Sequence, residues 1–291
     1  MTKKFGLELK GPVNNPMRST QQTVERKNIS DTEWEATKKK YPNFQRLLQS
    51  INYALITRGD NKYMYNFWSR RQQRYDADDW FGLVHGQLHL ETTAKKKLTM
   101  RRSKIEKQDI LKVYADASFA DDGTRRSTIG LVVMFLNNTA YVQAKRLGSM
   151  SSSTGEAELQ AASSAGKEIV HYRNLANILG WNINDTRTIL YCDASSAIRM
   201  AYAMPGSSKL TRHIEVCWFL IRELVLVRKI DVRFCPTIMM LADGQTKIQT
   251  TQSHTLFSEA ILDNVASKLR RLHQDFITNF GPRYFGISLK Q

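Results

Sequence analysis

Four acids stand where they could act together: Asp116 in VYADAS, Glu158 in STGEAELQAA, Asp193 in ILYCDAS and Asp243 in MLADGQTK. Asp116 falls within a strand pattern and Asp193 at the C-terminal end of another. Glu158 sits in the first turns of a long helix, and Asp243 near the start of a short one. Gathering carboxylates costs free energy unless a cation neutralises them. Four negative charges match two divalent ions. With no His or Cys among the four, an oxygen-only set favours magnesium, or manganese, over zinc. Two such ions roughly 3.5–4 Å apart suit phosphodiester hydrolysis, one activating a water in line with phosphorus and the other stabilising the leaving oxygen. The products would carry a 3′-hydroxyl and a 5′-phosphate.

Taken singly, the acids have plainer roles. Asp193 fits the N-cap of a helix over Ala194 to Met200. Neighbouring Glu156 fits a capping box, with Ser153 as N-cap and Glu156 three residues on, which leaves Glu158 without a capping duty. In this order of elements, however, the four together favour the catalytic reading.

Placing them requires a sheet, and the pattern from residue 110 supplies one. Ile110 to Ser118 reads as a strand; Ser127 to Leu136 and Thr139 to Lys145 read as two more, with a hairpin turn at Asn137-Asn138. Thr154 to Gly180 is a long helix ended by glycine. Thr188 to Cys192 is a short apolar strand, followed by a helix through Tyr202. Thr211 to Val227 is helical, Lys229 to Cys235 a strand, and a short helix holds Asp243. The order βββαβααβα predicts an α/β fold: a mixed five-stranded sheet flanked by helices.

Four stretches emerge. Residues 1–40 are polar and basic, broken by Pro12 and Pro16, and read as a linker or arm. Residues 41–109 form a small helical segment, apolar at Phe44, Leu47, Leu48, Ile51, Tyr53, Leu55 and Ile56, then Met64, Phe67 and Trp68, then Trp80, Leu83, Val84, Leu88 and Leu90, ending in a basic connector. Residues 110–250 hold the sheet. Residues 251–291 carry an amphipathic helix, 253–277, with Leu256, Phe257, Ala260, Ile261, Val265, Leu269, Leu272 and Phe276 on one side. Trp68, Trp80, Trp181 and Trp218 sit in apolar periodic stretches and predict core positions. His85 and His89 have the i, i+4 spacing of a zinc pair, but their apolar helix points to packing.

The chain has 291 residues and a net charge of +16, a surplus that suits a polyanion such as nucleic acid. Cys192, Cys217 and Cys235 form no CxxC pair, which argues against a disulfide framework or structural zinc and for a reducing compartment. There is no apolar signal core, and no stretch nears the roughly 20 apolar residues of a membrane span. The expectation is a soluble intracellular protein, cytoplasmic (in a virus-like particle) or nuclear, with no membrane partner.

The blocks VYADASFADD, TRRSTIG, SSTGEAEL, LYCDASSAI, RHIEVCWFLIRE and LADGQTK occur in that order. They resemble the ribonuclease H domain of copia-type LTR retrotransposon Pol polyproteins, which reads YxDADWAGD, DRRSTSG, SSTEAEY, LYCDNxSAI, KHIDVRYHFIRE and LADxLTK. The likeness covers about 111–248. Residues 41–94 more loosely resemble the connection segment before that domain. The resemblance implies an RNase H-like fold and a magnesium-dependent endonuclease that cuts the RNA strand of RNA–DNA hybrids. It places the catalytic, metal-holding acids at Asp116, Glu158, Asp193 and Asp243. It further implies a fragment of such a polyprotein, or a gene derived from one, with the reverse transcriptase region as a partner. Three departures stand out. Asp121 and Asp122 add acids beside Asp116, STGEAE has one residue more than STEAE, and Gly244-Gln245 replaces an apolar pair and would loosen the last helix.

Candidate substrate contacts flank the acids. Arg125 and Arg126 lie in the first turn, Lys145 ends the hairpin, and Arg212 and His213 open a helix; Ser118, Ser195 and Ser196 lie near the proposed metals. Lys and Arg grip phosphates without reading sequence, and a hybrid would be chosen by minor-groove shape and 2′-hydroxyls. Two alternatives compete: a catalytically decayed or co-opted relic that binds nucleic acid without cutting it, and a docking subunit of a polymerase.

Overall fold

The computed structural model describes residues 11–18, 29–102, 107–120, 124–203 and 212–263. Its centre is a five-stranded sheet in the order β3-β2-β1-β4-β5, with β1 Leu111–Ser118, β2 Thr128–Phe135, β3 Asn138–Arg146, β4 Thr188–Cys192 and β5 Ile230–Phe234. β1, β2 and β3 pair antiparallel, while β1, β4 and β5 run parallel. The parallel strands need crossovers, which α5 Thr154–Ile178, α6 Ser195–Tyr202 and α7 Arg212–Leu226 supply. This is the RNase H-like mixed sheet that the blocks implied.

Alternation sorts the side chains of the sheet. Leu111, Val113, Ala115, Ile129, Leu131 and Val133 pack with Ala161, Ala165 and Ile169 of α5 and Ile221 and Leu224 of α7. The opposite face, with Val132, Met134 and Val142, packs on Leu241, Phe257 and Ile261. So the 3-10 turn Leu241–Gln245 and α8 Thr251–Leu262 cover that side. Asp243 therefore lies on a 3-10 turn and not on an α-helix. β4 is buried along its whole length, as a strand covered on both faces must be.

Several expectations shift. The hairpin turn falls at Leu136-Asn137, one residue earlier than predicted. Both take positive φ, 53° and 58°, and Phe135 pairs Asn138. That is the twist-matched two-residue turn, and placing it there keeps the apolar faces of β2 and β3 in register. Ser153 caps α5 as expected, but Glu156 bonds the backbone N–H and hydroxyl of Ser152, one residue further back than a capping box requires.

Before the sheet lie α1 Asp31–Lys40, α2 Phe44–Ala54, α3 Lys62–Ser69 and α4 Ala77–Thr92. α1 starts on a Ser30–Glu33 capping box and α4 on an Asp76–Asp79 one. They form a core of their own from Phe44, Leu47, Leu48, Ile51, Met64, Phe67, Trp68, Trp80 and Leu83. The expected arm is partly folded into it: Met17 is buried in this core and Trp34 of α1 packs against it. Trp181, predicted as core, is exposed, as are Tyr53, Ile56 and Leu256 of the apolar helical patterns, because each lies on the solvent side or at the end of its element. The C-terminal helix begins at Thr251, capped by Thr250; its predicted continuation beyond residue 263 lies outside the described residues.

Candidate active site

Asp116 occupies β1 opposite Gly130 of β2, Glu158 lies in the second turn of α5, and Asp193 follows β4 directly. β1 and β4 run parallel, so both strand acids end up at one end of the sheet, and the start of α5 returns to that end. One carboxylate oxygen from each of the three lies within 4.8 Å of the others. Asp116 and Glu158 are buried and Asp193 half-buried.

Each carboxylate is held. Thr246 Oγ1 donates to Asp116 Oδ2, Thr237 Oγ1 donates to Asp193 Oδ2 at 3.2 Å, and the Ala117 backbone N–H supports Glu158. These donors do not neutralise the cluster. Burial, then the charges of Asp116 and Asp193, pushes Glu158 up to about 9. Burial, with Asp193 and Asp243 behind it, pushes Asp116 up to about 6. Asp193 is raised too, first by burial. An all-oxygen donor set short of positive charge fits a hard divalent cation.

Asp243 stands apart from the other three. It lies outside the 4.8 Å cluster, and its carboxylate is engaged by the Lys247 ammonium four residues on. Burial works against that ammonium, yet Asp243, Asp116 and Asp193 outweigh it and raise its pKa. Lys247 thus supplies positive charge to the whole cluster. Neither Lys247 nor Thr246 stood out in the sequence, although both belong to the LADGQTK block that was singled out for Asp243.

Gly130 was also missed. A Cβ there would stand 2.6 Å from the Ala242 carbonyl oxygen and 2.9 Å from Thr246 Cγ2, so glycine lets the Asp243 turn close onto Asp116. Nor does Gly244-Gln245 loosen this region as expected. A Cβ on Gly244 would meet the Phe257 ring at 2.7 Å, and buried Gln245 donates to the Gly59 carbonyl oxygen at 3.1 Å. Both residues are fitted into the packing under α8.

Ser118 pairs Thr128, and Ile129 pairs Lys145, so Ser118, Arg125, Arg126 and Lys145 lie at the acidic end of the sheet. Arg125 and Lys145 are exposed. Ser195 and Ser196 open α6 after its N-cap Ala194, the residue that follows Asp193, and Ser196 Oγ reaches the start of α5 near Gly155. The side chains of Arg212 and His213 lie outside the described residues, as do Asp121 and Asp122. Cys192 and Cys235 are buried free thiols, and Cys217 is free as well.

No family model matches the chain. It is 26% identical over 260 residues, 89% of its length, to the Retrovirus-related Pol polyprotein from transposon TNT 1-94 of Nicotiana tabacum, of which it spans 19%. Among solved structures it is similar to the N-terminal RNase H domain of a Mycobacterium tuberculosis protein, at 14% identity and TM-score 0.34, covering 52% of this chain and 96% of that one. LC11-RNase H1, isolated from compost, is 17% identical with TM-score 0.35, covering 47% and 91%. The protease-reverse transcriptase of prototype foamy virus is 17% identical with TM-score 0.34, covering 58% and 22%. Among the described residues no helix is long and apolar enough to cross a membrane. The six ordered blocks and the strand order of the sheet agree with this similarity to a retrotransposon Pol polyprotein.

Proposed function

We propose that this chain is a ribonuclease H that cuts the RNA strand of RNA–DNA hybrids. Water adds across the P–O3′ bond, leaving 3′-hydroxyl and 5′-phosphate ends. One observation carries the reading: Asp116, Glu158 and Asp193, scattered along the chain, bring carboxylate oxygens within 4.8 Å of one another. A fold has no stability reason to bury three like charges together, so the cluster calls for cations. Asp116, Glu158 and Asp193 would hold two magnesium or manganese ions, and Asp243 would join them when Lys247 turns to a substrate phosphate. When bound, such ions supply Lewis acidity to water and to the phosphodiester.

The chain's own residues do the positioning. Thr246, Thr237 and the Ala117 N–H fix the three carboxylates before substrate arrives. Arg125, Arg126 and Lys145 grip backbone phosphates at the same end of the sheet, and Ser118, Ser195 and Ser196 donate to the sugar-phosphate chain. The +16 charge favours the polyanionic partner. The reverse transcriptase region of a parent polyprotein would deliver the hybrid.

The test is cleavage of a labelled RNA–DNA duplex in magnesium by the chain and by Asp116→Asn and Glu158→Gln. We expect RNA-strand cuts that fall by at least about a thousandfold in either variant. Salt-dependent binding with no metal-dependent cutting by the parent chain would replace the nuclease with the binding relic.

A further inference from the structure

Away from the acids, a second buried cluster mixes residue types that bind transition metals. Asp60 lies in the 3-10 turn Gly59–Asn61, His89 on α4 and His254 on α8. One ligand atom from each falls within 4.8 Å of the other two. The residues are only 2%, 1% and 4% exposed. His89 does not pair with His85, which turns to the Asn15 carbonyl oxygen. His89 Nδ1 donates to the Val13 carbonyl oxygen at 2.9 Å, which fixes the ring and leaves a bare lone pair on Nε2. Neither that Nε2 nor the Nε2 of His254 has a hydrogen-bond partner among the described residues. The rings meet edge to face, with centroids 5.3 Å apart.

Asp60 has acceptor capacity left. Its Oδ2 accepts from Arg58 Nη2 and Ser258 Oγ, both at 2.9 Å, whereas among the described residues Oδ1 accepts from Arg58 Nε alone, at 3.0 Å. A carboxylate oxygen offers about two acceptor positions, so Oδ1 keeps one. Burial first of all pushes His89 down to about 3 and His254 down to about 4. Both rings are then neutral at physiological pH, the form in which imidazole ligates.

We propose that Asp60, His89 and His254 form a zinc site that clips α4, before the sheet, to α8, after it. Two imidazoles and a carboxylate are a donor set zinc accepts, with its fourth position open to water. The nitrogen content disfavours magnesium. Arg58 and Ser258 hold the carboxylate from behind, as outer partners do in metal sites. The Arg58 guanidinium and Lys96, which reaches Ser258 Oγ at 3.1 Å, oppose a dication and set the affinity below that of a closed structural site. The clip does not depend on the nuclease reading, and either can fail alone.

The full chain, stripped with a chelator and kept in excess magnesium to occupy the carboxylate site, is titrated with zinc against a chromophoric competitor. We expect one zinc per chain, with at least about tenfold weaker binding in His89→Gln and in His254→Gln. Cobalt(II) in the parent chain should give the intense visible bands of four-coordination. X-ray absorption of the zinc-loaded parent should show two imidazole shells. That measurement needs no variant, so it decides the matter if the variants fail to fold. Parent-like zinc affinity in both folded variants, or zinc without imidazole around it, overturns the proposal.

Discussion

Asp60 and Asp116 are buried to similar depth, 2% and 4% exposed, yet their surroundings treat the negative charge in opposite ways. At Asp60, burial works to raise the pKa, but Arg58, the field at His254 and Ser258 outweigh it, and the carboxyl is held below its usual range. At Asp116, burial joins Asp193 and Asp243, and Thr246 and Lys247 only partly resist them. Depth alone therefore does not decide the state of a buried acid; the charge brought in with it does. Arg58 balances the Asp60 carboxylate. The other cluster gathers Asp116, Glu158 and Asp193 with Lys247 as the charge that offsets them among the described residues, and is electrostatically incomplete.

The sharpest way to break this contrast is to remove the internal counter-ion. Arg58→Ala would leave Asp60 buried and unpaired, and would also lose the bonds from Arg58 to the Thr93 carbonyl and hydroxyl. We expect a loss of about 3–5 kcal/mol in denaturant unfolding of the metal-free chain. A loss under about 1 kcal/mol would mean that Asp60 is no better compensated than Asp116.

The complementary experiment supplies the missing charge. Magnesium at a hundred times its dissociation constant should stabilise the parent chain by about 2.7 kcal/mol, because it binds the folded acids and not the unfolded chain. Glu158→Gln should lose most of that gain, whereas Asp60→Asn, if it folds, should keep it. Equal magnesium stabilisation of the parent and Glu158→Gln would place the ion elsewhere.

The pH dependence follows from the same charges. Glu158 and Asp116 have folded pKa values raised above 4.5 and 3.8, to about 9 and about 6. Between those limits the folded chain binds more protons than the unfolded one, so stability is full at low pH and lost as pH rises. Metal-free melting temperature should fall from pH 5 to pH 9. Glu158→Gln should flatten the fall and raise metal-free stability at pH 8 by roughly 1–3 kcal/mol. Asp60, lowered in the fold, contributes with the opposite sign and only in the acid range. A melting temperature that rises steadily to pH 9 would contradict the assignment.

How much of this was legible beforehand differs between the two clusters. β4, Thr188–Cys192, was read to the residue because an apolar run with no alternation has few other solutions. The three converging acids were legible because each sits at an element end, where element order alone brings them to one end of the sheet. Asp60, His89 and His254 were not, since nothing local to a helix tells His89 that His254 will pack against it. The turn at Leu136-Asn137 was missed by one residue because Asn137-Asn138 has the better turn composition, while strand register made the choice. Trp181 misled because an aromatic just past a helix end carries the same periodicity as a core one.

The finest test concerns the support of Asp116. Thr246 is fully buried, and its single hydroxyl proton goes to the Asp116 carboxylate, the nearer of two acceptors, the other being the Asp243 carbonyl. Valine has nearly the same shape and no proton to give. Thr246→Val should therefore cost about 1 kcal/mol of stability, and it should raise the Asp116 pKa further and steepen the pH slope. Magnesium affinity should drop about tenfold through loss of orientation. Thr246→Ser, which keeps the hydroxyl, should restore the affinity even if the lost methyl costs some stability. A tenfold drop in both variants would trace the effect to packing of the Asp243 turn against Gly130, and Thr246 would then hold the turn rather than the carboxylate.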